Sequence, residues 1–150
     1  MKIGVISDTH GLLRAEAVEA LRGVEHILHA GDVGEALILD QLRQLAPVTA
    51  IRGNIDRSGA CARLPEAELI ELNGVSIYML HDFHAIDLDP VAAGIQVVVS
   101  GHSHNPVIEW RKAVLYFNPG SAGPRRFSLP VSVGYLNVGK VIEPELITLI

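Results

Sequence analysis

Seven residues able to bind a metal ion stand just beyond runs of apolar residues: Asp8, His10, Asp32, Asn54, His81, His102 and His104. Asp8 and His10 are two apart, as are His102 and His104, so each pair can turn toward one ion where the chain leaves an extended segment. Gly101 ahead of the His pair lets the backbone come close to a bound ion. The donors are imidazole, carboxylate and amide, without thiolate. That mix suits Mn, Fe, Zn or Ni better than Mg or Ca. A structural zinc would favour Cys-rich spacing, which is absent. Seven donors with one carboxylate to share match two adjacent divalent ions, which is the equipment of a binuclear hydrolase.

Such residues work only if the fold brings them together. Lys2–Ser7 runs out at Asp8 and His10, Ile27–Ala30 at Asp32, Val48–Arg52 at Asn54, Val75–Leu80 at His81, and Ile95–Ser100 at His102 and His104. Ligands of open α/β sheets bind beyond the carboxyl ends of the strands, so one rim should collect all seven. Between the first strands, Leu13, Ala17, Ala20, Leu21 and Val24 keep a helical period, as do Ile38, Leu42 and Leu45 before Pro47. Strand, helix, strand, helix, strand makes two βαβ units and parallel pairing.

The second half changes character. Glu68–Leu72 and Val75–Leu80 flank Asn73-Gly74, a strong hairpin signal. Asp89-Pro90 and Gly94 predict a very short helix over Val91–Ala93. Val107–Arg111 with Ala113–Phe117, and Val131–Val138 with Val141–Leu149, read as further hairpins, and Pro144 puts the last strand at an edge or a bulge. The expectation is a single domain over residues 1–150, with two apolar sheets packed face to face and helices outside.

The chain has 150 residues, 49% of them hydrophobic, enough for a substantial aliphatic core. A net charge of −5 argues against a basic nucleic-acid-binding surface, so no stable nucleic-acid complex is expected. Asp8 interrupts the first apolar run too early for a signal peptide, and no run approaches a membrane span. A cytoplasmic enzyme without membrane association is therefore expected, and the apolar composition leaves room for a homo-oligomer. The single cysteine, Cys61, reads as a small loop hydrophobe rather than a nucleophile or ligand.

Asp8-x-His10, Gly31-Asp32, Gly53-Asn54, His81 and Gly101-His102-x-His104, in this order, resemble the signature of calcineurin-like metallophosphoesterases. The short chain, with Asn118-Pro119-Gly120-Ser121 near its end, resembles the small prokaryotic phosphodiesterase branch, which also contains the retromer scaffold subunit. The resemblance spans Lys2 to about Ser121. It implies an α/β fold, a four-layer α/β-β/α sandwich of two mixed sheets with flanking helices. It also implies two divalent ions, Mn foremost. Asp8, His10, Asp32 and His104 would hold the first ion, and Asp32, Asn54, His81 and His102 the second, with Asp32 bridging. Asp32, Asn54 and His81 thereby become catalytic as well as metal-binding residues. A hydroxide between the ions would attack the phosphorus of a small phosphate ester in line. A phosphodiesterase is the first expectation. A phosphomonoesterase with the same site and a catalytically weak protein-binding scaffold are the alternatives, and the scaffold is the one that missing ligands would mark.

Many members of the wider superfamily carry His after the motif Asn, where it is proposed to protonate the leaving group; here that position is Ile55. Asp82 stands where Gly is usual and reads either as a solvent-facing turn residue or as an acceptor orienting His81 or His84. His84 itself is a substitute acid or a surface imidazole. His29, inside the second strand, reads as a buried supporting or packing residue. Arg125 and Arg126 either contact a substrate phosphate or form a solvated pair. Asn118–Ser121 should make a turn closing the rim.

Overall fold

A computed structural model describes all residues, Met1–Ile150. Ten strands form two five-stranded sheets. The first runs in the order β10-β9-β1-β2-β3, from Ile142–Thr148, Ser132–Val138, Lys2–Ile6, His26–His29 and Val48–Ala50. The second runs β4-β5-β6-β8-β7, from Ala67–Leu72, Val75–Leu80, Val97–Val99, Val114–Asn118 and Val107–Arg111. In each sheet the three strands that point at the rim are parallel: β1, β2 and β3 in one, β5, β6 and β8 in the other. Antiparallel partners flank them. Pro144 indeed lies on an edge strand, paired with Leu136, where its missing N–H costs no ladder bond.

The sheets pack face to face. Alternate residues Ile3 and Val5 of β1, Ile77 and Met79 of β5, Val97 and Val99 of β6, and Leu115 and Phe117 of β8 meet in one apolar layer. The other face of the first sheet carries Ile6 and Ile27, which pack on Ala17, Leu21, Ile38, Leu39 and Leu42 of the helical side. Val98, between two inward valines, is buried on the outer face of the second sheet with Leu80, Ile95 and Val114. A strand buried on both faces reads as an unbroken apolar run, which is why Val97-Val98-Val99 shows no alternation.

The helical layers are thinner than expected. The first helix, α1, covers only Ala15–Ala20, because Gly23 turns the chain at φ +83° and takes Val24 out of the helix while leaving it buried. The second, α2, covers Ala36–Arg43. No helix forms over Val91–Ala93. The cap is made, Asp89 Oδ1 accepting the Val91 N–H at 3.1 Å, but Pro90 and Gly94 leave room for only a single turn. The second sheet is therefore covered by a 3-10 turn, Phe83–Ala85, and by Ile86, Leu88 and the 90–94 turn. No helix is long and apolar enough to cross a membrane.

Candidate metal centre

The parallel strand ends meet at one rim, and hydrogen bonds between the exit loops fix them there. The Asp8 N–H donates to the Gly31 carbonyl at 3.0 Å, the His10 N–H to the Asp32 carbonyl at 2.9 Å, and the Gly101 N–H to the His81 carbonyl at 2.9 Å. Glycine is required where loops touch. A Cβ on Gly101 would stand 2.6 Å from Asp8 Oδ2 and still closer to Ser7 Oγ, and one on Gly53 would run into Asp32 Oδ1. Five of the seven residues, Asp8, His10, Asp32, His102 and His104, have φ between +47° and +71°. Left-handed backbone costs about 1–3 kcal/mol per residue, less for Asp and His than for most, and strain of this kind persists where geometry matters.

Five of the seven side chains meet at the centre. Asp8 Oδ1 lies 3.4 Å from His104 Nε2 and 3.7 Å from both His10 Nε2 and His81 Nε2. Asp32 Oδ2 lies 3.4 Å from His10 Nε2 and 3.2 Å from His81 Nε2. None of these contacts has hydrogen-bond geometry. Asp8 Oδ1, His10 Nε2, His81 Nε2 and His104 Nδ1 are the buried side-chain polar atoms of this chain that have no partner. Unsatisfied buried polar atoms are rare and call for an explanation. Two donors each about 2.1 Å from one ion, at angles of about 90–109°, lie about 3.0–3.4 Å apart, which the 3.2–3.4 Å contacts match and the two 3.7 Å contacts slightly exceed. The atoms fall into two overlapping groups, Asp8 with His10 and His104, and Asp8 with Asp32 and His81. The residues fit a pair of adjacent cations.

In Asp8, Asp32 and His81 the second oxygen or nitrogen is spoken for. Asp8 Oδ2 accepts from the Ser7 hydroxyl at 2.7 Å and the His102 N–H at 3.1 Å. Asp32 Oδ1 accepts from the Ile55 N–H at 3.0 Å. His81 Nδ1 donates to the Ala30 carbonyl at 2.7 Å. Each interaction turns the remaining atom inward. His102 and Asn54 form an outer pair, Nδ1 to Oδ1 at 3.3 Å, on the more exposed side of the centre. Asp82 lies farther out. One of its oxygens accepts the His84 backbone N–H and the other lies 4.0 Å from His102 Nε2, while the Ala30 carbonyl holds Nδ1 of His81.

Burial by itself would raise the pKa of Asp8 and of Asp32. The imidazoles outweigh it, with His10 and His104 foremost for Asp8 and His81 for Asp32, and both carboxyls stay below their ordinary range. His81 is the counterpart. Burial would lower its pKa, but the facing Asp32 and Asp8 carboxylates raise it.

A supporting layer holds the rim, and the Asp56 and Thr9 contacts within it are not visible in the residue pattern. The Asp56 carboxylate accepts the N–H groups of Val33, Gly34 and Gly53 at 2.9–3.1 Å and so clamps the Asp32 loop to the Asn54 loop. His29 is fully buried, and burial holds its pKa down to about 4. Its Nδ1 accepts the Gly31 N–H, so its Nε2–H faces Thr9 Oγ1 at 3.1 Å, while the Thr9 hydroxyl donates to the Val33 carbonyl. At the rim, Ser121 Oγ donates to the Asp8 carbonyl and Asn118 Nδ2 to the Gly101 carbonyl, as expected of a closing turn. Arg125 and Arg126 line a recess of about 160 Å³ beside His10 and His104, with the Arg125 guanidinium donating to the Ile150 carbonyl. Cys61 is buried in the apolar layer under the helices.

This combination of two mixed sheets and a histidine–carboxylate rim defines a metallophosphoesterase-type hydrolase. Residues 1–140 match the calcineurin-like phosphoesterase superfamily domain, and the chain belongs to that family. A probable metallophosphoesterase of Methanocaldococcus jannaschii is 38% identical over an alignment spanning 98% of this chain and 81% of the relative. An archaeal phosphodiesterase of known structure superposes with a TM-score of 0.83 at 27% identity, over 99% of this chain and 100% of the other. Vps29 of Chaetomium thermophilum shares the fold, with a TM-score of 0.80 at 17% identity over 99% and 96% of the two chains.

Proposed function

We propose that the chain hydrolyses phosphodiesters at two divalent ions of the Mn class, with Asp8, His10, Asp32 and His104 around the first and Asp32, Asn54, His81 and His102 around the second. The observation that carries this reading is the convergence of buried, partnerless Asp8 Oδ1, His10 Nε2 and His81 Nε2 on one point. Bound ions would supply an activated water and positive charge for the developing transition state.

The chain's own residues do the positioning. Ser7 and the His102 N–H hold one oxygen of Asp8, and the Ile55 N–H holds one of Asp32, which leaves each carboxylate a single inward oxygen. Asp32 Oδ2 stands between His10 and His81, which supports its bridging role, and Asp8 Oδ1, shared by both ligand groups, faces His10, His104 and His81 beside it. The Ala30 carbonyl selects the Nδ1–H form of His81 and points Nε2 inward. Asn54, a neutral ligand for one ion, is set by the Gly53 turn that Asp56 clamps. Arg125 and Arg126, beside His10 and His104, supply positive charge for a phosphate oxygen. Ile55, at the rim and 43% exposed, has no proton to give a leaving group.

Hydrolysis of bis-p-nitrophenyl phosphate and of p-nitrophenyl phosphate, each with Mn after chelator treatment, tests the assignment. Faster turnover of the diester is expected. Preference for the monoester would make this a phosphomonoesterase with the same centre.

A further inference from the structure

On the side of the centre away from Arg125 and Arg126 lies an open cleft of about 390 Å³. Its inner wall is the centre itself: His81, more than nine-tenths buried with an unpartnered Nε2, together with Asn54 and His102. Ala67, Leu80, Ala85 and the ring of Tyr78 make up its apolar lining. Its charged lining is mostly acidic, Glu66, Asp82 and Asp87 with the single guanidinium of Arg52. Arg52 is already committed, donating to Glu66 at 2.6 Å and to the Ala62 carbonyl at 3.1 Å. Asp82 and Asp87 have no Lys or Arg partner, and the His102 ring stands 4.0 Å from Asp82. The two flanks of the centre thus have opposite charge, two arginines on one and two unneutralised carboxylates on the other.

We propose that this cleft receives a cationic substituent of the substrate, an ammonium or quaternary ammonium group about two or three carbons from the phosphorus. This rests on the phosphodiesterase reading and specifies its substrate class as a zwitterionic diester. The phosphate sits at the centre, the ammonium lies against Asp82 and Asp87, and Tyr78 offers an aromatic surface to it. The same carboxylates repel a second phosphate on this side, so nucleoside polyphosphates and nucleic-acid strands are disfavoured there. The carboxylates are partly or fully exposed, so salt screens their effect.

The test uses the Mn-loaded protein and two esters of the same shape, p-nitrophenyl phosphorylcholine and its uncharged carbon analogue, p-nitrophenyl neohexyl phosphate. Two exposed charge contacts and a cation–π contact together give roughly a five- to tenfold higher kcat/KM for the choline ester at low salt. The ratio should shrink with added salt, and Asp82→Asn with Asp87→Asn should bring it near one. Equal kcat/KM for both esters, with metal-dependent turnover intact, overturns the cleft assignment and leaves the phosphodiesterase reading standing. If Mn-loaded protein turns over neither ester, that reading fails, and calorimetry of phosphocholine against neohexyl phosphate then reads the cleft, with equal affinities overturning it as well. Phosphatidylcholine vesicles added to the choline-ester assay identify the source: inhibition places the cationic headgroup at a membrane, and indifference places the substrate in solution.

Discussion

The Nδ1 of His81 meets the carbonyl oxygen of Ala30 at 2.7 Å, and this contact joins the end of β5 in one sheet to the end of β2 in the other. One imidazole therefore links the two sheets and presents its second nitrogen to Asp32. Replacing His81 with Ala should lower kcat/KM by more than about 10²-fold, since even supporting partners of a metal ligand account for 10–100-fold. The check is steady-state kinetics on a nitrophenyl diester together with the number of ions bound.

Asp32→Asn should harm more than Asn54→Ala. Asp32 contributes charge between His10 and His81, whereas Asn54 is neutral and sits on the outer side beside His102. Titration calorimetry with Mn should show both ions weakened in the first variant and one in the second. Two ions bound at near-native affinity to Asp32→Asn would show that Asp32 does not bridge.

His29 makes a separate prediction about pH and the metal-free protein. Its folded pKa, about 4, lies below the ordinary imidazole value of 6.5. Between those pH values the unfolded chain binds a proton that the folded chain does not, so stability falls as pH falls from 6.5 toward 4. The full effect is on the order of 3 kcal/mol. Urea unfolding of chelator-treated protein at pH 7 and pH 5 should show a smaller acid loss in His29→Gln than in the parent. Equal losses would mean that His29 does not titrate with unfolding.

The seven rim residues could be read from the sequence because each follows an apolar run. Such runs end where the sheet ends, so a shared rim follows from parallel pairing. The Asn73-Gly74 turn was equally plain, and both residues adopt the positive φ that the turn needs. What could not be read depends on contacts between distant segments. The Asp56 carboxylate serves amides 22 and 23 residues away as well as its neighbour Gly53. Its place in Gly53-Asn54-Ile55-Asp56 was the only signal it carried. Thr9, between two metal-binding residues, is committed to His29 and Val33 across loops. Helix length was misjudged for a related reason. Leu13, Leu21 and Val24 keep a helical period and are at least partly buried, yet they pack from the flanks of α1 rather than within it.

Ile55 sets an expectation for substrate chemistry. General acid catalysis contributes about 10²–10⁴-fold when the leaving group is poor, and an aliphatic side chain cannot provide it. The rate should fall steeply as leaving-group pKa rises across aryl and alkyl esters. Ile55→His should help alkyl esters more than nitrophenyl esters, because the position is at the rim and its backbone N–H already touches Asp32. A shallow dependence in the parent would mean that another group supplies the proton.

The proposed chemistry requires metal ions at the point where Asp8, His10, Asp32, His81 and His104 converge. The most direct measurement is diester hydrolysis by protein stripped with chelator, then resupplied with Mn or Mg and analysed for bound metal. Stripped protein should be inactive, Mn should restore turnover with two ions bound per chain, and Mg should be a poor substitute. Equal activity in the presence of chelator, with no metal bound, would contradict the two-metal centre.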